Sequence, residues 1–330
     1  MTMRKARGKE INILSLMTAT EIPLPKGASG KVLIEPNMSG LESNPKNDWL
    51  YFGLSDLHGM PNIAKFGIRT AAIIGSGNGI DAIGALSIFT CLKRLYITDL
   101  LPGLLPGIEK NVRANYSGQC ELIFLSGRDC EPIPEKVELI YANLPLLMTS
   151  ALELESGLAT TTLTDANAYA HLSSCRDDAL EKYSLLSQLG FLLSAREKLV
   201  DNGTVVTLIG GRIPFEIIIQ CFKIARLSGY LTTVGFKKQS DPQFFKEYAE
   251  HERRSGVKFA FYDYELALQI LSNAPGILFS QFEDIRRLLP SLVRLLRCCG
   301  LDASTAYQYY LNGKEVGHFA FAFEATKTED

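Results

Sequence analysis

The stretch Ala71-Ala-Ile-Ile74-Gly75-Ser-Gly77-Asn-Gly79-Ile-Asp-Ala-Ile-Gly84 decides the fold of this chain. A short apolar run ends in glycines at every second position, and an apolar segment of helical character follows. The stretch reads as strand, sharp turn and helix: glycine lets the backbone turn tightly and approach a ligand, and a helix start offers free N–H groups. Outward from it, the apolar runs Arg94–Thr98, Glu121–Leu125, Glu138–Ala142 and Thr204–Ile209 read as four more strands. Between them Gly79–Thr90, Leu105–Ala114, Leu180–Val200 and Pro214–Leu227 read as helices, the third stopped by Asp201-Asn202-Gly203. Strands alternating with helices predict an α/β fold with a doubly wound, mostly parallel sheet and right-handed crossovers.

Residues 1–67, punctuated by Pro23, Pro25, Pro36, Pro45 and Pro61, read as an N-terminal cap and substrate region, and 68–330 as the cofactor-binding domain. Two segments exceed the minimal pattern. Residues 147–181, with Thr160-Thr-Thr162 and Tyr169-Ala-His171, form a connection long enough to be a lid. Residues 256–312 read as a helical insertion, with helices at Tyr264–Leu271 and Gln281–Cys299, before a last strand at His318–Glu324. Tyr307 to Tyr310 and the Phe319, Phe321, Phe323 alternation read as strand and core positions.

Hydrophobic residues make up 46% of the 330, enough for a sizeable core, and 34 basic against 36 acidic residues leave a net charge of −2. Such a chain has no global field to draw it onto nucleic acid or an anionic membrane, which directs attention to a small-molecule or protein partner. The seven cysteines include no C-x-x-C pair and no His at metal-ligand spacing, so no metal site is expected. Met1 to Glu10 is charged and Ile11–Met17 is short for a signal segment, and the apolar run Val205–Ile219 is broken by Gly, Arg, Pro and Glu. A cytoplasmic protein is the expectation. The apolar helix Leu288–Leu296 suits either the core or a homo-oligomer interface.

Candidate site residues gather at the ends of the strands, where open α/β sheets bind ligands. They are Gly75, Ser76, Gly77, Asn78 and Gly79 after the first strand, then Asp99 and Leu100 after the second. Asp129 and Cys130 follow the third, and Asn143, Leu144, Pro145 and Leu146 the fourth. A dinucleotide fingerprint wants a third glycine at position 80, where Ile80 stands, so the loop is G-x-G-x-G and tilts away from NAD.

On these residues the stretch from about Ile68 to Leu231 resembles the class I S-adenosylmethionine-dependent methyltransferases of the Asn-Pro-Pro-Tyr group, which includes release-factor glutamine methyltransferases. The resemblance implies a seven-stranded sheet and S-adenosyl-L-methionine as cofactor. It further implies contacts to the cofactor from Gly75, Gly77 and Gly79, to its ribose from Asp99, and to its adenine from Asp129 with Cys130 beside it. Asn143, Leu144 and Pro145 take the catalytic position: an Asn side-chain oxygen and the next carbonyl accept two N–H bonds and turn a nitrogen lone pair toward the methyl group. Positioning supplies most of the rate in such a transfer. The chain departs from the group at Leu144 and Leu146, which remove the aromatic face for a flat base or amide, and at Ile73, where an acid often precedes the loop.

The expected activity is therefore N-methylation, with oxygen as the second choice, of a small metabolite or natural product. Its alternatives are methylation of a protein glutamine amide, a NAD-type oxidoreductase, and a non-catalytic cofactor-binding module. Trp49, Tyr51, His58, Leu146 and Tyr169 are the candidate substrate residues; His58 reads as a loop residue, either structural or a general base. His251-Glu-Arg-Arg254 reads as a solvated charge run.

Overall fold

The computed structural model describes residues 8–36, 38–149, 163–175, 178–272 and 285–328. Thr160-Thr-Thr162 of the expected lid, and the first turn of the helix expected from Gln281, lie outside the described residues. The chain forms two compact bodies, one of residues 1–144 with 194–207 and the other of 145–193 with 208–330.

The first body contains β1 (Lys9–Asn12), α1 (Leu14–Ala19), β2 (Lys31–Ile34), α2 (Trp49–Gly59), α3 (Asn62–Gly67), β3 (Thr70–Ile74), α4 (Ile80–Ile88), β4 (Arg94–Asp99), α5 (Leu105–Asn115), β5 (Glu121–Ser126) and β6 (Val137–Ala142). Residues 1–67 thus belong to the same body as the glycine loop. Further along run β7 (Leu147–Thr149), β8 (Leu163–Asp165), α6 (Asp178–Lys182), α7 (Leu186–Lys198) and β9 (Leu199–Gly210), the last two crossing between the bodies.

In the first body the strands lie in the order β9-β6-β3-β4-β5, every neighbouring pair parallel. The chain steps outward from β3 through β4 to β5, then returns to lay β6 and β9 on the other side of β3. A topological switch point therefore falls between β3 and β6, where open sheets leave a crevice. The central strands are apolar without alternation because both faces are covered: Ala71, Ala72, Ile73, Leu139, Ile140, Tyr141 and Ala142 are fully buried.

All five strands legible in the sequence form, but the third helix ends earlier than Asp201-Asn202-Gly203 suggests. Strand β9 begins at Leu199, opposite Val137, and the next paired position is Thr204 opposite Leu139. The turn residues are absorbed as a bulge in the strand instead of stopping a helix. Gly203 is needed there, since a Cβ would stand 2.9 Å from the carbonyl oxygen of Glu138.

The N-terminal segment is stitched to α5 by two buried asparagines. Asn111 accepts from Leu33 N (2.8 Å) and donates to Leu33 O (2.9 Å) and Asn78 O (3.0 Å). Asn115 accepts from Gly30 N (2.8 Å) and donates to Lys31 O (2.8 Å). Their amides satisfy backbone groups of a strand edge that would otherwise be left unpaired.

The second body adds α8 (Phe215–Ile224), β10 (Leu227–Gln239), α9 (Pro242–Ser255), β11 (Phe261–Asp263), α10 (Tyr264–Ser272), α11 (Ile285–Leu295), β12 (Gly300–Leu301), α12 (Ala303–Leu311) and β13 (Val316–Lys327). Strands β10 and β13 pair antiparallel from Leu227 opposite Lys327 to Gln239 opposite Val316, while β11 joins β13 to β12. Phe319, Phe321 and Phe323 are buried in β13 as expected, together with the alanines between them.

Three readings change here. Tyr307–Tyr310 belong to helix α12, not a strand: Asp302 accepts from Thr305 N (2.8 Å) to cap it, and Ala303 and Ala306 form its buried stripe. Region 256–312 includes two short strands among its helices. Within the run His251–Arg254, Glu252 is buried, accepting from Phe259 N (2.8 Å) and Ala303 N (3.0 Å).

Candidate functional site

The loop between β3 and α4 turns through positive φ at Gly75 (66°), Gly77 (55°) and Gly79 (86°). The reasons differ from one glycine to the next. A Cβ at Gly75 would lie 2.5 Å from the Leu144 side chain, and one at Gly79 3.1 Å from Val112, so packing within the body already demands both. A Cβ at Gly77 would meet nothing within 4 Å. Its φ and the open space above it make Gly77 the point where another molecule can come against the backbone.

Hydrogen bonds fix the loop in place. Ser76 N donates to Thr98 O (2.9 Å), Gly79 N to Ser76 O (2.8 Å), and Gly77 N to the Asp99 carboxylate (3.0 Å). The other Asp99 oxygen accepts from Leu101 N (3.0 Å). Burial raises the Asp99 pKa, opposed by these N–H donors. With Leu100 N–H as a third backbone donor, the two oxygens still keep part of their roughly four lone-pair sites, so Asp99 can accept from a hydroxyl. Asn78 is turned to structural work: its Oδ1 accepts from Ile80 N (3.0 Å) at the start of α4, and its Nδ2 donates to Ser39 O (3.0 Å).

After β5, Asp129 is buried and adopts a positive φ of 50°. Cys130 beside it is fully buried, its N–H donating to Ser194 Oγ (3.3 Å) and burial pushing its thiol pKa far up. It offers a backbone and an inert thiol. Leu100 is half-buried after β4. Beyond β6, Asn143 and Leu144 are half-buried in the first body, with the Leu144 side chain on Gly75. Thus Gly75, Ser76, Gly77, Asp99, Asn143 and Leu144 gather at the switch-point end of one sheet.

Trp49, Tyr51 and His58 lie on α2 of the same body and are half-buried. His58 is in the last helical turn, not a loop; burial and then Lys65 lower its pKa. Helix α2 packs on α4 where Gly84 leaves room, since a Cβ there would sit 2.3 Å from Leu54. In the second body, Pro145 is half-buried and Leu146 buried. Tyr169 is buried against Gly190, with its ring 2.7 Å from where a Cβ would be, so it fills core space. His171 is exposed.

One pair escapes a sequence reading. Asp81, in the first turn of α4, is buried, and its carboxylate accepts from Tyr141 Oη at 3.2 Å. Burial raises its pKa to about 7, eased by the Tyr141 bond and pushed further by Asp48 at the start of α2. The signal was present as one charged residue inside an otherwise apolar helix.

The residues present fit a nucleoside-type cofactor on two observations. Gly77, at a φ of 55°, has open space where a Cβ would stand. The hydroxyls of Ser76 and Thr98, both buried at the base of the loop, have no hydrogen-bond partner among the described residues. Buried hydroxyls without partners are costly, and a bound polar ligand can satisfy them.

No protein-family model matches the chain, and no curated protein matches it in sequence. Among solved structures it is similar to a ribosomal protein L11 methylase from Lactobacillus delbrueckii subsp. bulgaricus, at 16% identity over 63% of this chain and 78% of that one, TM-score 0.37. A phosphoethanolamine N-methyltransferase 2 of Haemonchus contortus, solved with S-adenosylhomocysteine, is 13% identical over 91% and 62%, TM-score 0.34. A precorrin-6y C5,15-methyltransferase of Geobacter metallireducens is 6% identical over 80% and 85%, TM-score 0.35. Likeness at this level assigns neither family nor activity.

Proposed function

We propose that the chain is an S-adenosylmethionine-dependent methyltransferase acting on a nitrogen of a small metabolite, with an oxygen acceptor as the second choice. The observation that carries this reading is the open, positive-φ Gly77, clamped to Asp99 at the switch point and facing no side chain. Gly75, Gly77 and Asp99 would hold the cofactor, Ser76 and Asp129 lining it. The cofactor supplies a sulfonium methyl group, a reactive donor that asks the protein for placement more than for acid or base.

Asn143 and the Leu144 carbonyl accept the acceptor's N–H bonds and orient its lone pair. The Leu144 side chain on Gly75 keeps water from that end of the loop. The Trp49 and Tyr51 rings at the start of α2 border the acceptor, while His58, at the other end of the helix beside Lys65, is left out of the reaction.

Incubation with methyl-labelled S-adenosylmethionine and either a metabolite extract or cell protein tests the reading. Label entering a small molecule supports it; label entering protein only points to the side-chain alternative. Asn143→Ala should cut turnover by about 100-fold, the scale of a misplaced reactant, with cofactor affinity held within about twofold. Equal loss of both would remove Asn143 from its role.

A further inference from the structure

We propose that Asp81 is a positioning residue of this site, acting through Tyr141 to lock the end of β6 against the first turn of α4. The inference rests on the methyltransferase reading and adds residues to it. Asp81 stands two residues beyond Gly79, the last glycine of the loop, and Tyr141 two residues before Asn143. Their hydrogen bond, at 3.2 Å, joins the helix that follows the cofactor loop to the strand that leads into the acceptor-orienting asparagine. Asn143 follows directly on the last residue of β6, so the bond holds the strand end from which Asn143 departs.

The bond lies in a fully buried place. On β6 the group facing Asp81 is Tyr141, and on α2 it is Asp48; Asp56 of α2 acts on Tyr141. Asp48 is engaged by Leu50 N (2.9 Å) and Glu42 N (2.8 Å), which hold it as the cap of α2. Asp81 is thus left with a phenol as donor and a carboxylate as neighbour. Burial and the nearby Asp48 outweigh the Tyr141 bond, so the fold favours the neutral acid, and above a pKa of about 7 a charge is forced into this buried place. The loop and the strand end are therefore held more tightly below neutrality than above it, and cofactor binding follows. His58, in the last turn of α2, has its pKa lowered by burial and then by Lys65, away from that of Asp81.

Calorimetric titration with S-adenosylhomocysteine between pH 5.5 and 8.5 tests the proposal without an acceptor. The whole chain should bind about five- to tenfold more tightly at pH 6 than at pH 8, a step centred near 7. Asp81→Asn keeps an oxygen to accept from Tyr141 but cannot ionise, so it should bind with no step, whereas Asp81→Leu should bind weakly at every pH. Tyr141→Phe should move the step to higher pH, because the phenol's bond lowers the Asp81 pKa. A step that persists in Asp81→Asn, or Tyr141→Phe binding as the parent does at every pH, overturns the positioning role. Circular dichroism on each variant separates a lost fold from a lost bond. Absence of S-adenosylhomocysteine binding to the parent at all pH values would instead overturn the methyltransferase reading.

Discussion

Asp81 has an effect on stability as well as on the site. Its pKa rises from 3.8 in the free side chain to about 7 in the fold, so between these values the folded chain keeps a proton that the unfolded chain has lost. Stability is then highest below pH 4, falls through to pH 7 and is flat above. Asp81→Asn removes this loss. The variant's midpoint of thermal unfolding should exceed the parent's by an amount that grows from pH 4 to 7 and then holds, a gain on the order of a few kcal/mol less any weakening of the Tyr141 bond. A midpoint that tracks the parent's across the range would show Asp81 to be ionised at an ordinary pKa.

Asp81 also shows why part of the site was hidden. An acidic residue in a first helical turn is ordinary, because it complements the helix dipole. Only burial and the approach of Tyr141 from a strand sixty positions along mark it as unusual, and neither has a local pattern. The glycine loop and Asp99 were legible because their roles are written in backbone demands and spacing. Ser39, which receives Asn78, was not, since a carbonyl partner can come from any residue.

Among the elements, the parallel strands were the easiest to read because two-sided burial leaves continuous apolar runs at β3 and β6. Strand β10 was missed: its first half, Leu227-Ser-Gly-Tyr-Leu-Thr-Thr, alternates weakly and follows a helix directly, and its second half carries Lys237 and Lys238. The end of α7 was misplaced because an Asp-Asn-Gly turn signal serves a strand bulge equally well. Helix α5 carries a prediction of its own. Asn111 makes three hydrogen bonds to Leu33 and Asn78, so Asn111→Ala leaves buried backbone groups unpaired at a cost of about 2–4 kcal/mol. Chemical denaturation should show that loss. Hydrogen exchange should rise at both residues 31–34 and 76–80, and a rise at only one would break the link between the N-terminal segment and the loop.

Across the whole molecule, the two bodies answer pH in opposite senses. His318, fully buried on β13, is held well below 6.5 by burial and by the positive charges of Arg212 and Lys237. It stays neutral in the fold while the unfolded chain takes up a proton, so its contribution is present above pH 6.5 and is lost as pH falls below it. The second body should therefore loosen in acid, where the Asp81 region of the first is at its firmest. Hydrogen exchange on peptides spanning 316–327 should quicken from pH 6.5 to 5 once corrected for intrinsic rates, and His318→Gln should remove that dependence. Uniform behaviour of both bodies would contradict it.

The central claim is that the loop at Gly75-Ser-Gly77-Asn-Gly79 accepts the nucleoside and amino-acid portions of S-adenosylmethionine, and the product complex tests it most directly. Calorimetric titration at pH 8 of the parent chain and of Gly77→Val, each with S-adenosylhomocysteine and with NAD, is the measurement. The account predicts that the parent binds S-adenosylhomocysteine and not NAD, and that Gly77→Val, which fills the open space at a φ of 55°, loses binding while its circular dichroism is unchanged. Binding of NAD alone, or a folded Gly77→Val that binds S-adenosylhomocysteine as the parent does, would contradict it.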